Sequence, residues 1–273
     1  MAIELDVHIE APERTVDMKA GLETLQGFSD AVRIVVEAVL SERVPKRLNA
    51  ANKVRTNLKN SFSGSWGQIF SVDLYQDALQ ERLEEIGGKP ILVELIKHFL
   101  DDAVFVDSGA VSEKAAAVLN SIGERAEEIT EKLRQSPLRL AHKVSQDFGY
   151  AASLRYRKST DYVRILCKFN GDTAETLTPT PLGREVKIIA NVTRLNIFTG
   201  NGRLQVIDES ETTAFGFAEP YSEVSRAVRR KLSNNLDQNN RADRTQWEPL
   251  EFKAKPLALR SGKIVKYLIS SVK

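Results

Sequence analysis

Residues 185–207 read EVKIIANVTRLNIFTGNGRLQVI, and this stretch decides the fold of the second half of the chain. Apolar side chains occupy every second position from Val186 to Val192, which is the period of a β-strand with one buried face. The alternation then slips by one residue and continues at Leu195 and Ile197. Such a slip is typical of a β-bulge, so we predict one long, curved strand with a bulge near its middle.

The sequence after this strand predicts a small barrel. Residues 199–202, Thr-Gly-Asn-Gly, indicate a tight hairpin turn. We then expect strands over 204–207 and 212–217, a helix opened by Pro220, and strands over 247–255 and 263–269. This order of three strands, one helix and two strands resembles that of the OB-fold, a five-stranded, partly open barrel that commonly binds oligonucleotides or oligosaccharides. A five-stranded SH3-like barrel or a helix-capped sheet could produce the same order.

The first half of the chain predicts a helix-rich α/β domain. Residues Ile3 to Ile9 alternate between apolar and polar, as in a half-buried strand. A long helix ending near Ser41 follows, then a strand pair or a strand with a glycine bend within residues 61–72, and then mostly helices. The whole chain is therefore predicted to be an α+β protein with an acidic domain over 1–145, a connecting strand and Pro/Thr-rich linker over 146–182, and a basic OB-like domain over 183–273.

A helix predicted over residues 111–134 carries an apolar seam with the alternating four- and three-residue spacing of coiled coils. The seam indicates a surface for a protein partner or a second copy of the chain. Because it is shorter than three heptads, packing within its own domain is the alternative. The seam residues are Ala115, Leu119, Ile122, Ala126, Ile129 and Leu133.

The composition excludes several classes of protein. With 42% hydrophobic and 28% charged residues, the chain is typical of globular proteins and unlike disordered or collagen-like chains. The single cysteine, Cys167, cannot form an internal disulfide. No apolar stretch approaches the ~20 residues that span a bilayer, and the first residues lack the pattern of a signal peptide. We therefore expect a soluble, cytoplasmic protein that does not enter a membrane.

The net charge of +2 conceals an uneven distribution. Residues 1–140 hold 17 Lys and Arg against 23 Asp and Glu, a net charge of −6. Residues 141–273 hold 22 against 14, a net charge of +8. The basic half favours an anionic partner, although two acidic helices in the first half would produce the same asymmetry.

Basic side chains in the second half predict a nucleic-acid interface. Arg226, Arg229 and Arg230 lie at i, i+3 and i+4 and would share one face of the predicted helix. Arg and Lys contact phosphates, and aromatic faces stack on bases, while a solvated helix face and polar turns are the alternative. The predicted contact residues are Arg226, Arg229, Arg230 and Lys231 on the helix, Arg203, Arg260 and Lys263 in loops beside the groove, and Arg155, Tyr156 and Arg157 in an aromatic-basic segment.

Catalytic and metal-binding patterns are weak. Asp172 followed by Glu185 and Lys187 is similar to a nuclease pattern whose carboxylates hold Mg²⁺. The polar face of the first strand could also bind a divalent ion, although the strand alternation alone demands such a face. That face carries Glu4, Asp6, His8 and Glu10.

These patterns favour a non-catalytic nucleic-acid-binding or adaptor protein without cofactor or metal. Its basic domain would contact nucleic acid and its acidic domain would contact protein. Two alternatives stay open, namely a protein-interaction subunit of a larger bacterial assembly and a metal-dependent nuclease.

Overall fold

The computed structural model describes residues 2–13, 15–48, 53–61, 66–159 and 162–273, and it confirms a mixed α+β fold. The chain divides into two compact units. The first unit comprises Met1–Val104 and Ser108–Leu177, and the second comprises Phe105–Asp107 and Thr178–Lys273. The short segment Phe105–Asp107 thus belongs to the second unit although the chain on both sides of it belongs to the first.

The first unit is built on an antiparallel five-stranded sheet with the order β2-β3-β1-β4-β5. The strands are β1 (Ala2–Ile9), β2 (Val54–Ser61), β3 (Trp66–Leu74), β4 (Ala152–Arg157) and β5 (Val163–Phe169). The helices are α1 (Met18–Ser41), α2 (Asp77–Glu85), α3 (Lys89–Ala103), α4 (Glu113–Ile122), α5 (Arg125–Arg134), α6 (Ser136–Ala141), α7 (Lys143–Phe148) and α8 (Gly171–Glu175). The segment predicted over residues 61–72 contains strand β3, which pairs with β2 in a stretch where no strand was predicted, and the predicted glycine bend, within residues 62–65, lies outside the described residues.

The helices cover one face of this sheet. The alternate residues of β1 from Ile3 to Ile9 are buried in the core, as their spacing predicts. Helix α1 crosses α6 closely, and Gly27 makes this crossing possible. A Cβ atom at Gly27 would meet the backbone nitrogen of Ala141 and would lie 2.6 Å from the carbonyl oxygen of Pro137.

The predicted helix over residues 111–134 is two helices, and its seam is not a surface. The chain breaks between α4 and α5 at Gly123, whose φ of 61° lies in the left-handed region that favours glycine. Each helix is amphipathic and turns its apolar face inward, so local packing accounts for the seam. The sixth seam residue, Leu119, packs against the core of the first unit. The other five are buried in that core: Ala115, Ile122, Ala126, Ile129 and Leu133.

The second unit contains a closed five-stranded barrel. Around the barrel the order is β7-β8-β9-β11-β10, and β10 pairs with β7 to close the ring. Strands β9 and β11 are parallel, whereas the other neighbours in the ring are antiparallel. The elements are β6 (Thr180–Pro181), which pairs with β10, β7 (Val186–Leu195), β8 (Gly202–Val206), β9 (Thr213–Phe217), α9 (Arg226–Arg241), β10 (Leu250–Ala258) and β11 (Ile264–Val272).

Two predictions about this unit have clear outcomes. The register of β7 against β8 shifts between Val192 and Arg194, which confirms the predicted bulge. The predicted start of the helix at Pro220 is wrong. Helix α9 begins at Arg226 because the side chain of Ser225 accepts a hydrogen bond from the backbone N–H of Val228 and caps the helix.

Candidate nucleic-acid interface

Helix α9 presents three basic side chains to solvent. Arg226, Arg230 and Lys231 are exposed, and the first two stand one helical turn apart on the same face. The opposite face, with Leu232, packs on the barrel. The structure therefore brings together three of the four helix residues predicted from the sequence.

The fourth predicted helix residue, Arg229, has a structural role instead. Its guanidinium group lies over the ring of Tyr221, 4.4 Å from the ring centre, and burial also raises the pKa of that phenol. The same group donates hydrogen bonds to the carbonyl oxygens of Ser222, at 2.8 Å, and Val224, at 2.9 Å. Arg229 thus holds the turn that leads into α9, and its contact with a ligand stays a prediction.

Two buried asparagines fix α9 on the barrel. The Asn235 side chain accepts a hydrogen bond from the backbone N–H of Val192, at 2.8 Å, and donates one to the carbonyl of Glu248, at 2.7 Å. Asn239 donates to the carbonyl of Val192, at 3.1 Å. These bonds satisfy backbone groups beside the bulge in β7, where the ladder is interrupted. The sequence analysis did not identify this role, because the contact joins residues far apart in the chain.

The loop between β7 and β8 packs on the ring of Tyr221, in the turn that precedes α9. Gly200 has a φ of 72° and lies directly against the ring of Tyr221, where any Cβ atom would collide with that ring. In the same loop, Ile197 and Phe198 are 60% and 39% exposed. An exposed aromatic residue therefore lies in a loop that packs against the turn preceding the basic helix.

Arg203, which was predicted to lie in a loop beside the groove, is a buried residue of strand β8, and its contact with nucleic acid stays a prediction. It is only 4% exposed, and its side chain donates to the hydroxyl of Thr212, at 2.7 Å, and to the carbonyl of Thr212, at 2.6 Å. It also donates to the carbonyl of Phe105, at 3.2 Å, and forms an ion pair with Asp107, at 3.1 Å. Its partners thus include residues nearly a hundred positions away.

The loop between β10 and β11 is a tight turn that presents the other two predicted loop residues. Arg260 and Lys263 are exposed on either side of Gly262, whose φ is 86°. The ammonium group of Lys263 lies 3.4 Å from the carboxylate of Glu211, and both side chains are well exposed. Such a surface pair is weak and leaves the lysine accessible.

The aromatic-basic segment of the first unit forms no shared surface, because Tyr156 and its neighbours point to opposite faces of the sheet. Tyr156 packs against the core. Arg155 and Arg157 lie on the other face and each donates to the carboxylate of Asp6 at 2.6 Å. Asp6 is fully buried, so these two arginines neutralise a buried charge, and their contact with nucleic acid stays a prediction.

The same contacts remove Asp6 from the hypothetical metal-binding face. Glu10 pairs with Lys168 at 2.7 Å, and burial followed by the charge of Arg155 lowers the pKa of His8. Within the described part of the chain, no three His, Cys, Asp or Glu side chains are grouped as metal ligands. For the nuclease pattern, Lys187 lies 4.0 Å from Glu251 on the neighbouring strand.

The charge asymmetry is smaller when it is counted by structural unit. The second unit holds 16 Lys and Arg against 11 Asp and Glu, a net charge of +5, which leaves −3 for the first unit. The basic character therefore belongs to the barrel unit. None of the helices in the described residues has both the length and the apolar character of a membrane span. Comparison of the chain with protein-family models, curated proteins and solved structures finds no match.

Proposed function

We propose that the second unit is an OB-type barrel and that the protein is a non-catalytic nucleic-acid-binding protein. The single observation that carries the fold assignment is the closed five-stranded ring, with the helix between its third and fourth strands and a parallel pair between its third and fifth. An SH3-like meander of consecutive antiparallel strands does not account for the parallel pair between β9 and β11. OB-folds commonly bind oligonucleotides, which agrees with the net charge of +5 on this unit.

The electrostatics of α9 support an anionic ligand. Its first six residues are Arg-Ala-Val-Arg-Arg-Lys, so four cations stand at the end of the helix where the macrodipole is positive. Cations at this end reduce helix stability, and an anion bound there would reverse the effect. Arg226, Arg230 and Lys231 are exposed and therefore able to contact phosphates. Phe198, in the loop that packs beside this turn, would offer a stacking surface for a base.

The test is an anisotropy titration of the full-length protein with a labelled 20-nucleotide single strand and with the matching duplex, repeated over a series of salt concentrations. We expect binding at low salt that weakens steeply as salt rises. The variant Arg226→Gln/Arg230→Gln/Lys231→Gln should bind at least ten-fold more weakly. Its salt slope on the single strand should fall by about 2, because each lost phosphate contact removes about 0.7.

The matched control is Arg241→Gln. Arg241 is the last residue of the same helix, about 22 Å along its axis from Arg226, so its removal should change the affinity little. If the wild-type protein binds neither oligonucleotide at low salt, the proposed function is wrong. If Arg241→Gln weakens binding as much as the removal of an exposed cation does, the assignment of the surface to the start of α9 is wrong.

A further inference from the structure

The outer surface of the barrel carries a second row of basic residues. Arg194 of β7 stands opposite Arg203 of β8, Arg203 stands opposite Ala214 of β9, and Ala214 pairs with Lys266 of β11. Neighbouring strands are about 4.8 Å apart, so these four residues form one line across the sheet. Ala214 lies between Arg203 and Lys266 in this line. In an OB-type barrel this face, formed by the second and third strands, is the one that binds ligands.

In this structure a short segment of the chain itself covers the row. The segment Phe105–Asp107, here called the strap, lies on the barrel and is part of its unit. The carboxylate of Asp107 pairs with Arg203, at 3.1 Å, and accepts a hydrogen bond from the hydroxyl of Thr212, at 2.5 Å. The ring of Phe105 lies under the ammonium group of Lys266, 5.3 Å from the ring centre. The strap thus places a carboxylate and an aromatic ring on two cations of the row.

The strap is held in an unfavourable backbone conformation. Phe105 has a φ of 61°, in the left-handed region that bulky residues rarely adopt. Phe105 directly follows Val104, the C-cap of α3, so this left-handed residue also ends that helix. Release of the strap would take the Asp107 carboxylate from Arg203 and the Phe105 ring from Lys266, while Arg203 would keep its bonds to Thr212 and Lys266 its bond to Asn201.

We infer that the strap is an autoinhibitory element: its Asp107 carboxylate and Phe105 ring occupy the places that a phosphate and a base of single-stranded nucleic acid take when they displace it. This inference rests on the proposed function and adds to it a closed and an open state of the barrel. Phosphate matches the carboxylate in charge, and a base matches the phenyl ring as a flat partner for a cation. The affinity measured for the protein is then lower than that of the open state, because only the molecules with an open strap can bind at this face.

The test compares the wild-type protein with Phe105→Gly/Asp107→Asn in the single-strand titration. The variant removes the ring and the charge that the strap places on the barrel, and we expect its affinity to rise about ten-fold, equivalent to 1.4 kcal/mol. The matched control is Glu185→Gln, which removes one exposed negative charge from the same unit away from the strap contacts and should change the affinity little. Circular dichroism and thermal melting verify that both variants are folded.

Two further measurements separate direct competition from an indirect effect. A peptide with the sequence of residues 103–109, AVFVDSG, should lower the affinity of the strap variant back towards that of the wild-type protein. Amide hydrogen exchange of residues 105–109 in the wild-type protein should become faster when the oligonucleotide binds. Equal binding by the wild-type protein and the strap variant would overturn the autoinhibitory role and leave the proposed function standing. Absence of binding by both proteins would overturn both inferences.

Discussion

Lowering the pH should destabilise the first unit through one buried histidine. His142 is fully buried between α6 and α7, and its ring stacks on Phe169 with ring centres 4.4 Å apart. Its Nδ1 lies 2.6 Å from the carbonyl oxygen of Leu138, and its Nε2 lies 2.9 Å from the hydroxyl of Thr173. The backbone N–H of Asn170 donates to that hydroxyl. The neutral ring therefore donates through Nδ1 and accepts at Nε2 with every partner satisfied.

This environment favours the neutral ring, and the size of the effect follows from the pKa. Burial lowers the pKa of His142 from 6.5 to about 4, although its hydrogen bond to Leu138 acts in the opposite direction. Between these two values the unfolded chain binds a proton that the folded protein does not, so the free energy of unfolding decreases as the pH falls from about 6.5 to about 4. The total loss is on the order of 3 kcal/mol, of which about 2 kcal/mol should be lost by pH 4.5.

The assay is urea unfolding at pH 7 and at pH 4.5, followed by tryptophan fluorescence. The chain has two tryptophans, Trp66 in the first unit and Trp247 in the second, so a Trp247→Phe background reports on the first unit alone. In this background His142→Gln should lower the stability at pH 7 but reduce the difference between the two pH values by about 2 kcal/mol. The control Ile129→Val, a change in the same core, should lower the stability and retain the full difference. If His142→Gln retains it as well, the reasoning is refuted.

Two further predictions concern packing and charge in the same unit. Gly27→Ala should destabilise the protein by about 1–3 kcal/mol in chemical denaturation, because the new Cβ atom would push α1 away from α6. The control is Gly21→Ala on the same helix, which should be close to neutral because its Cβ atom would meet only side chains, at 3.1 Å and beyond. Equal effects of the two changes would contradict the close crossing. Asp6→Asn should cost about 3–5 kcal/mol because it removes the buried charge that pairs with the half-buried guanidinium groups of Arg155 and Arg157. Glu10→Gln, which breaks an exposed pair with Lys168, should cost less than about 1 kcal/mol. A small effect of Asp6→Asn in thermal unfolding would show that the buried pair contributes little.

Local patterns in the sequence predicted most of the barrel. The alternation that slips after Val192, the glycine-rich hairpin turn and the order of strands and helix each depend on residues close together in the chain, and the barrel has all three. Local patterns could not predict the parallel pairing of β9 with β11, because these strands meet across the intervening helix. They also placed the start of α9 six residues early, since a proline and a capping serine both fit the first turn of a helix.

The candidate site was harder to predict, because the role of a basic residue depends on whether an acid or carbonyl reaches it from elsewhere in the fold. Arg203 reads as a loop cation in the sequence, yet Asp107 and the carbonyl of Phe105 meet it from a distant segment. Arg155 alternates with an aromatic residue in the sequence, yet Asp6 on the neighbouring strand neutralises it. Lys266 was not identified at all, since an isolated lysine in a strand carries no local signal.

The proposed function and the inferred strap together imply different roles for the cations of the barrel unit. The exposed cations at the start of α9 are accessible in the closed state, so they can provide the first, salt-sensitive contact with nucleic acid. Arg203 is accessible only after the strap leaves, and its planar guanidinium group suits close, directional contact with a phosphate. The exchange of Asp107 for a phosphate gives Arg203 a negative partner both in the closed state and in the ligand-bound state, so that neither state contains an uncompensated buried cation. The buried state of Arg203 is therefore compatible with a ligand role, provided that an anion replaces the carboxylate that now covers it.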